Sequence, residues 1–220
     1  MLTFDTPAPV SAVLEIPAGH IRFIAADRAD TTVEVRPADP ANSRDVQAAE
    51  RTEIACADGV LRIESRTKKQ ILGPSGSVEV TVHLPVGSRV EARSGGADFH
   101  GTGRLGDVTV DGAQRQFTVE DAESLRLVVT DGDVKVGRLR GPAQISTARG
   151  DIHVTEAARG TVSLTTGSGD ISIGAAAGVS AALSATTGYG RVSNALKNDG
   201  APALDIHATT AHGDIAAHSL

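Results

Sequence analysis

The chain has 220 residues, a formal net charge of −6, one cysteine, no tryptophan, one tyrosine and four phenylalanines. An acidic balance with so few rings argues against nucleic acid, which needs gathered Lys and Arg and aromatic platforms for the bases. No stretch approaches the ~18 consecutive apolar residues of a membrane helix, and one cysteine forms no internal disulfide, so the expectation is a soluble, cytoplasmic chain without an export leader.

Residues 10–16, 20–25 and 31–36 alternate apolar with polar positions, the period-two sign of a strand with one buried face. Residues 42–52 have the polar, capping composition of a short helix within an insertion near 38–52, with Ser43 as the candidate cap. Alternation returns at 53–56, 60–65 and 78–84. Between the last two, residues 66–77 carry two lysines, Pro74 and several small bend residues, and read as a mobile loop. Cys56 ends a strand-like run with no catalytic signature beside it, which points to a buried structural thiol rather than a nucleophile.

From residue 90 onward one string recurs: a strand-like run, Thr or Ser, a Gly-containing bend, Asp, then Ile or Val. Its clearest copies are Thr147 to Ile152, Thr166 to Ile171 and Thr210 to Ile215. The apolar residue after the bend falls at 99, 117, 134, 152, 171, 192 and 215, in steps of 18, 17, 18, 19, 21 and 23. Placing the copies in frame lines up columns such as Val90, Val108, Leu125, Ala143, Val162, Leu183 and Ile206 before the bend, and Phe99, Phe117, Val134, Ile152, Ile171, Val192 and Ile215 after it. Like residues stand opposite like residues only when each strand pairs in parallel with its equivalent one repeat later, ~4.8 Å away. The predicted fold is all-β, a single-domain parallel β-solenoid over 1–220 with coils of about 17 to 23 residues. Residues 1–89 would form irregular N-terminal coils and 90–220 the regular repeats.

Candidate chemistry concentrates at the bend. Asp98, Gln116, Asp133, Asp151, Asp170, Arg191 and Asp214 share one edge, where stacked carboxylates repel and a cation would relieve them. Asp133, Asp151 and Asp170 are the candidate calcium edge; the competing reading has each Asp closing its own bend by a side-chain hydrogen bond. Ser94, Thr147, Thr166, Thr187 and Thr210 face inward beside the bend and read as structural, since no base adjoins them. His207, His212 and His218 crowd the C-terminus without the ligand spacing of a metal site, and Lys135 separates His100 from His153 in their column. A carbohydrate-active β-helix enzyme would need paired acids in a groove and aromatic platforms for sugar rings, and the chain has few rings to offer.

The opening from Phe4-Asp5-Thr6-Pro7 to Thr32-Val33-Glu34-Val35-Arg36-Pro37, the Gly-Asp-Ile/Val repeats, and the stretch from Thr187-Gly188-Tyr189-Gly190-Arg191-Val192 to Gly213-Asp214-Ile215 resemble the bacterial putative-adhesin family of β-strand-repeat domains of unknown function. The resemblance covers essentially the whole chain and implies a β-helix-like solenoid. The expected function is a non-enzymatic scaffold or protein–protein interaction module that needs no cofactor. Its partner would be another protein or a second copy joined through the coil ends, with the last repeat, residues 204–220, as the uncapped end; no nucleic acid, membrane or small-molecule ligand is expected. The alternatives are a calcium-binding adhesin-like module and, further off, the carbohydrate-active enzyme.

Overall fold

The computed structural model describes residues 1–65 and 76–220, with the side chains of 113–115 outside that description. Residues 66–75, most of the expected mobile loop, therefore lie outside the described residues. The backbone forms two compact units, Met1–Arg115 and Gln116–Leu220.

In the first unit, β2 (Ser11–Ile16) and β3 (Gly19–Ala26) form one coil and the long strand run β8 (Arg89–Asp131) begins another. Between them in sequence come β6 (Val60–Ser65) and β7 (Val78–Pro85). Pairing among these strands is parallel: Ala12 stands opposite Leu61 on one side and Val90 on the other, and Ile21 opposite Val80 and Phe99. The coil made first in sequence thus lies between two made later. Its alternating residues point inward with theirs, and Phe23 meets Phe99 at 5.7 Å between ring centroids.

Two strands of this unit run against that direction, and a third joins one of them through an antiparallel pair. β1 (Leu2–Asp5), which has no counterpart among the sequence expectations, pairs antiparallel with β4 (Asp30–Pro37); β4 pairs antiparallel with β7, and β5 (Thr52–Ala57) with β6. The β5–β6 turn is Asp58-Gly59, both at positive φ (50° and 72°), the conformation that a type I′ hairpin requires. Cys56 sits on β5, whose one strand partner among the described residues is β6. Its thiol is therefore half-buried rather than buried, and desolvation raises its pKa above the ordinary thiol value.

The insertion folds as the helix α1 (Ser43–Glu50). Its cap is Asn42 rather than Ser43: the Asn42 side-chain oxygen accepts the Arg44 N–H at 3.1 Å. Asp45, 6% exposed, accepts the N–H groups of Asp39 (3.1 Å) and Ser77 (2.9 Å), which holds the helix against the chain at both places.

The second unit contains the regular coils. Each has a strand before the bend and one after it: β9 (Asp133–Leu139) continues the coil begun on β8, then come β10 (Ala143–Arg149) with β11 (Ile152–Ala157), β12 (Gly160–Ser168) with β13 (Ile171–Ala175), β14 (Ala181–Tyr189) with β15 (Val192–Ala195), and β16 (Leu204–His212) with β17 (Ile215–Ser219). All their pairings are parallel and in the expected register: Ala143 opposite Leu125 and Val162, Ile152 opposite Val134 and Ile171. The solenoid fold and its aliphatic columns are as the repeat predicts. Leu127, Ile145 and Leu164 are no more than 1% exposed.

The stacking order differs from the expected one. β12 pairs with β16, and β16 pairs with β14; β13 pairs with β17, and β17 with β15. The last coil in sequence is inserted between its two predecessors, so Val162 meets Ile206, and Ile206 meets Leu183. The outermost coil of this unit is β14–β15, residues 181–195. The uncapped coil is therefore not residues 204–220, whose strands are paired on both sides.

Candidate functional site

Each bend must turn the chain sharply while leaving its backbone polar groups satisfied at the surface, and Thr, Gly and Asp divide that work. Gly169 and Gly213 adopt φ of 148° and 149°, a region L side chains rarely enter. A Cβ at Gly213 would also lie 2.0 Å from the Gly169 carbonyl oxygen, so each bend packs directly on the one below it. The Thr hydroxyl beside the bend, on a buried residue at 166 and 210 and a half-buried one at 187, donates to the glycine carbonyl of the adjoining coil: Thr166 to Gly150 (3.0 Å), Thr210 to Gly169 (3.0 Å) and Thr187 to Gly213 (2.9 Å). Thr147 instead donates within its own bend, to the Arg149 carbonyl.

The aspartates form a ladder in stacking order. Asp133 Oδ1 accepts the Asp151 N–H (3.0 Å), Asp151 Oδ1 that of Asp170 (2.8 Å), Asp170 Oδ1 that of Asp214 (2.7 Å), and Asp214 Oδ1 that of Arg191 (2.8 Å). These carboxylates join neighbouring coils; they do not close their own bends. The stacking order also explains the substitution of Arg for Asp at 191. That residue occupies the outermost coil, beyond which no further bend N–H stands among the described residues, and its guanidinium turns back onto Asp214 Oδ2 at 3.2 Å. The Arg191 N–H, with the guanidinium adding to it, holds the Asp214 carboxyl below the usual carboxylate value.

Elsewhere on the surface, charged groups pair across coils. Arg149 is bidentate on Asp131 (2.6 and 2.8 Å) and Arg140 on Asp121 (2.8 and 2.7 Å). His212 is stacked on Tyr189, its register partner, with ring centroids 5.1 Å apart and planes 9° from parallel. His153 stands opposite Lys135. Among the described residues no three His, Cys, Asp or Glu side chains are grouped closely enough to hold a metal ion. A cavity of about 500 Å³ lies between residues 3–10 and the β5–β6 turn, with Cys56 in its wall. The raised thiol pKa keeps that sulfur protonated and weakly nucleophilic at neutral pH.

What remains unmatched is the outermost coil. Among the described residues β14 pairs with β16 alone and β15 with β17 alone. The inward columns narrow toward this coil: Leu164, Ala208, Ala185 in one, and Ile173, Ala217, Asn194 in another. Leu183 and Ala185 are half-buried, while Val192 is 47% and Tyr189 75% exposed. The smaller residues reduce the apolar cross-section without covering it. Sequence reasoning missed this coil as the open one, although Arg191 in an Asp column and Asn194 in an aliphatic one are both signals of a final coil.

Parallel coils, aliphatic columns and inter-coil bend ladders define a β-strand-repeat solenoid. The chain belongs to the Toastrack DUF4097 family, whose model matches residues 13–219. A solved "putative adhesin" from Parabacteroides distasonis shares the fold at 11% identity and a TM-score of 0.52, over 98% of this chain and 95% of that one. A "putative lipid binding protein" from the same species (12% identity, TM-score 0.46, 98% and 95% covered) and a "putative cell adhesion protein" from Clostridium sporogenes (10%, 0.40, 100% and 98%) superpose more loosely. No curated protein matches the sequence.

Proposed function

We propose that this chain is a non-enzymatic β-solenoid scaffold that binds protein by strand addition at the open β14–β15 edge. The observation that carries the reading is the one-sided pairing of this coil: beyond Ala181, whose N–H is held by the Lys197 carbonyl, its outer backbone groups form a ready template for another strand, the mode in which main-chain hydrogen bonds supply affinity. The bend supports the scaffold reading, because its most chemically distinctive side chains are committed to neighbouring coils. Each ladder carboxylate gives one oxygen to a backbone N–H, and three of the Thr hydroxyls are bound to glycine carbonyls of an adjoining coil.

Amide hydrogen exchange on dilute protein tests this reading. The amides of β14 and β15 should exchange markedly faster than those of β12 and β13, which have partners on both sides. Equal protection in the two coils would mean the edge is already covered, and the reading fails.

A further inference from the structure

Building on the open-edge reading, we propose that the protein added to β14 is a second copy of this chain, joined antiparallel about a two-fold axis so that two outermost coils meet. The first argument is what the edge lacks. β14 reads Ala-Ala-Leu-Ser-Ala-Thr-Thr-Gly-Tyr and β15 reads Val-Ser-Asn-Ala, with neither a charge nor a proline in either strand. Proteins whose edges are meant to stay single guard them with charged side chains, prolines, bulges or covering segments. The other strands with one partner among the described residues carry such charges: Asp5 on β1 and Glu53 on β5.

The second argument is charge complementarity. A two-fold interface places a surface against itself, so any charge on it meets its own kind. An uncharged edge escapes that penalty, whereas an edge built for an oppositely charged partner would carry charge of its own. Of the cations that flank these strands in sequence, Arg191 is already turned onto Asp214, and Lys197 follows β15 with its carbonyl on the Ala181 N–H. A copy also brings what the open end needs. Its Leu183 and Val192 close the same apolar gap from the other side, and Tyr189, 75% exposed and stacked on His212, is the type of aromatic side chain enriched at interfaces.

With the two-fold axis near Ala185, Ser184 of one copy faces Thr186 of the other. Both residues are exposed and point away from the core, so charges there leave the coil's packing intact. Size-exclusion chromatography with light scattering over a wide concentration range, on the full chain, reads the result. The unsubstituted chain should dimerise. Ser184→Lys with Thr186→Lys should weaken the dimer about tenfold or more, because like charges then stand directly opposite. Ser184→Glu with Thr186→Glu should do the same, and mixing the two variants should restore a dimer. Circular dichroism melting of each variant checks that the fold is retained. An unsubstituted chain that is monomeric at every concentration overturns the proposal while leaving the open-edge reading to the exchange measurement. A Lys variant that dimerises as tightly as the unsubstituted chain, or variants that fail to pair on mixing, overturns it too.

Discussion

At the residue scale, the repeat string Thr-x-x-Gly-Asp is a set of solutions to the backbone problems of a stacked bend. Gly supplies the positive φ and admits the neighbouring carbonyl, Thr satisfies a carbonyl, and Asp satisfies an N–H one coil away. The types were legible in the sequence; the partners were not, because a side chain that bonds across coils has the same local spacing as one that closes its own turn. The Asp214 carboxylate carries a pH prediction. Its folded pKa lies below the ordinary 3.8, so its stabilisation is fully present above the unfolded value and is lost as pH falls through the folded one. Asp214→Asn keeps an oxygen for the Arg191 N–H and removes the titrating charge. The fall in melting temperature between neutral and strongly acidic solution should therefore be smaller in the variant; an unchanged acid limb would show that this carboxylate does not contribute to it.

At the element scale, the insertion of β16–β17 between β12–β13 and β14–β15 makes sequence position a poor guide to burial. Ile206 lies on the last long strand yet has a coil on each side and is 1% exposed, whereas Leu183, earlier in the chain and in the same column, is half-buried on the outer coil. Ile206→Ala should cost about 3 kcal/mol, in the range for deleting a well-packed aliphatic side chain, and Leu183→Ala about 1 kcal/mol because part of that surface already meets water. Urea unfolding of the two variants decides the matter, and a larger loss at Leu183 would favour stacking in chain order. The first unit repeats the device, with β2–β3 held between strands that come later. There the sequence periods located most strands but not their direction, since antiparallel β4 and β5 alternate as regularly as their parallel neighbours.

At the scale of the whole molecule, the pairings place non-neighbouring repeats together: Asp170 bonds to Asp214, forty-four residues away. Removing residues 204–220 is thus not the loss of one terminal repeat. β14–β15 pair with nothing else among the described residues, so the deletion should strip protection from residues 181–195 as well and leave β12–β13 as the new edge. Native-state hydrogen exchange on the truncated chain measures this. Protection of 181–195 that survives the deletion would show that the coil stacks elsewhere. Non-local pairings of this kind also have a kinetic cost, because loop closure precedes the contacts that reward it.

The sequence by itself determined the coil: its length, its inward and outward faces, its bend chemistry and its parallel direction. These follow from local alternation and from like residues recurring at one step, which in-register stacking alone makes favourable. Only the tertiary structure decided which coil lies beside which. The columns are chemically interchangeable, so Ile206 packs as well against Val162 as Leu183 would, and a repeat written in one pattern carries no address for its neighbour. What distinguishes the outer coil is its differences from the pattern, Arg191, Asn194 and a strand edge without charge, and those become informative once the stack shows that no strand among the described residues pairs beyond them.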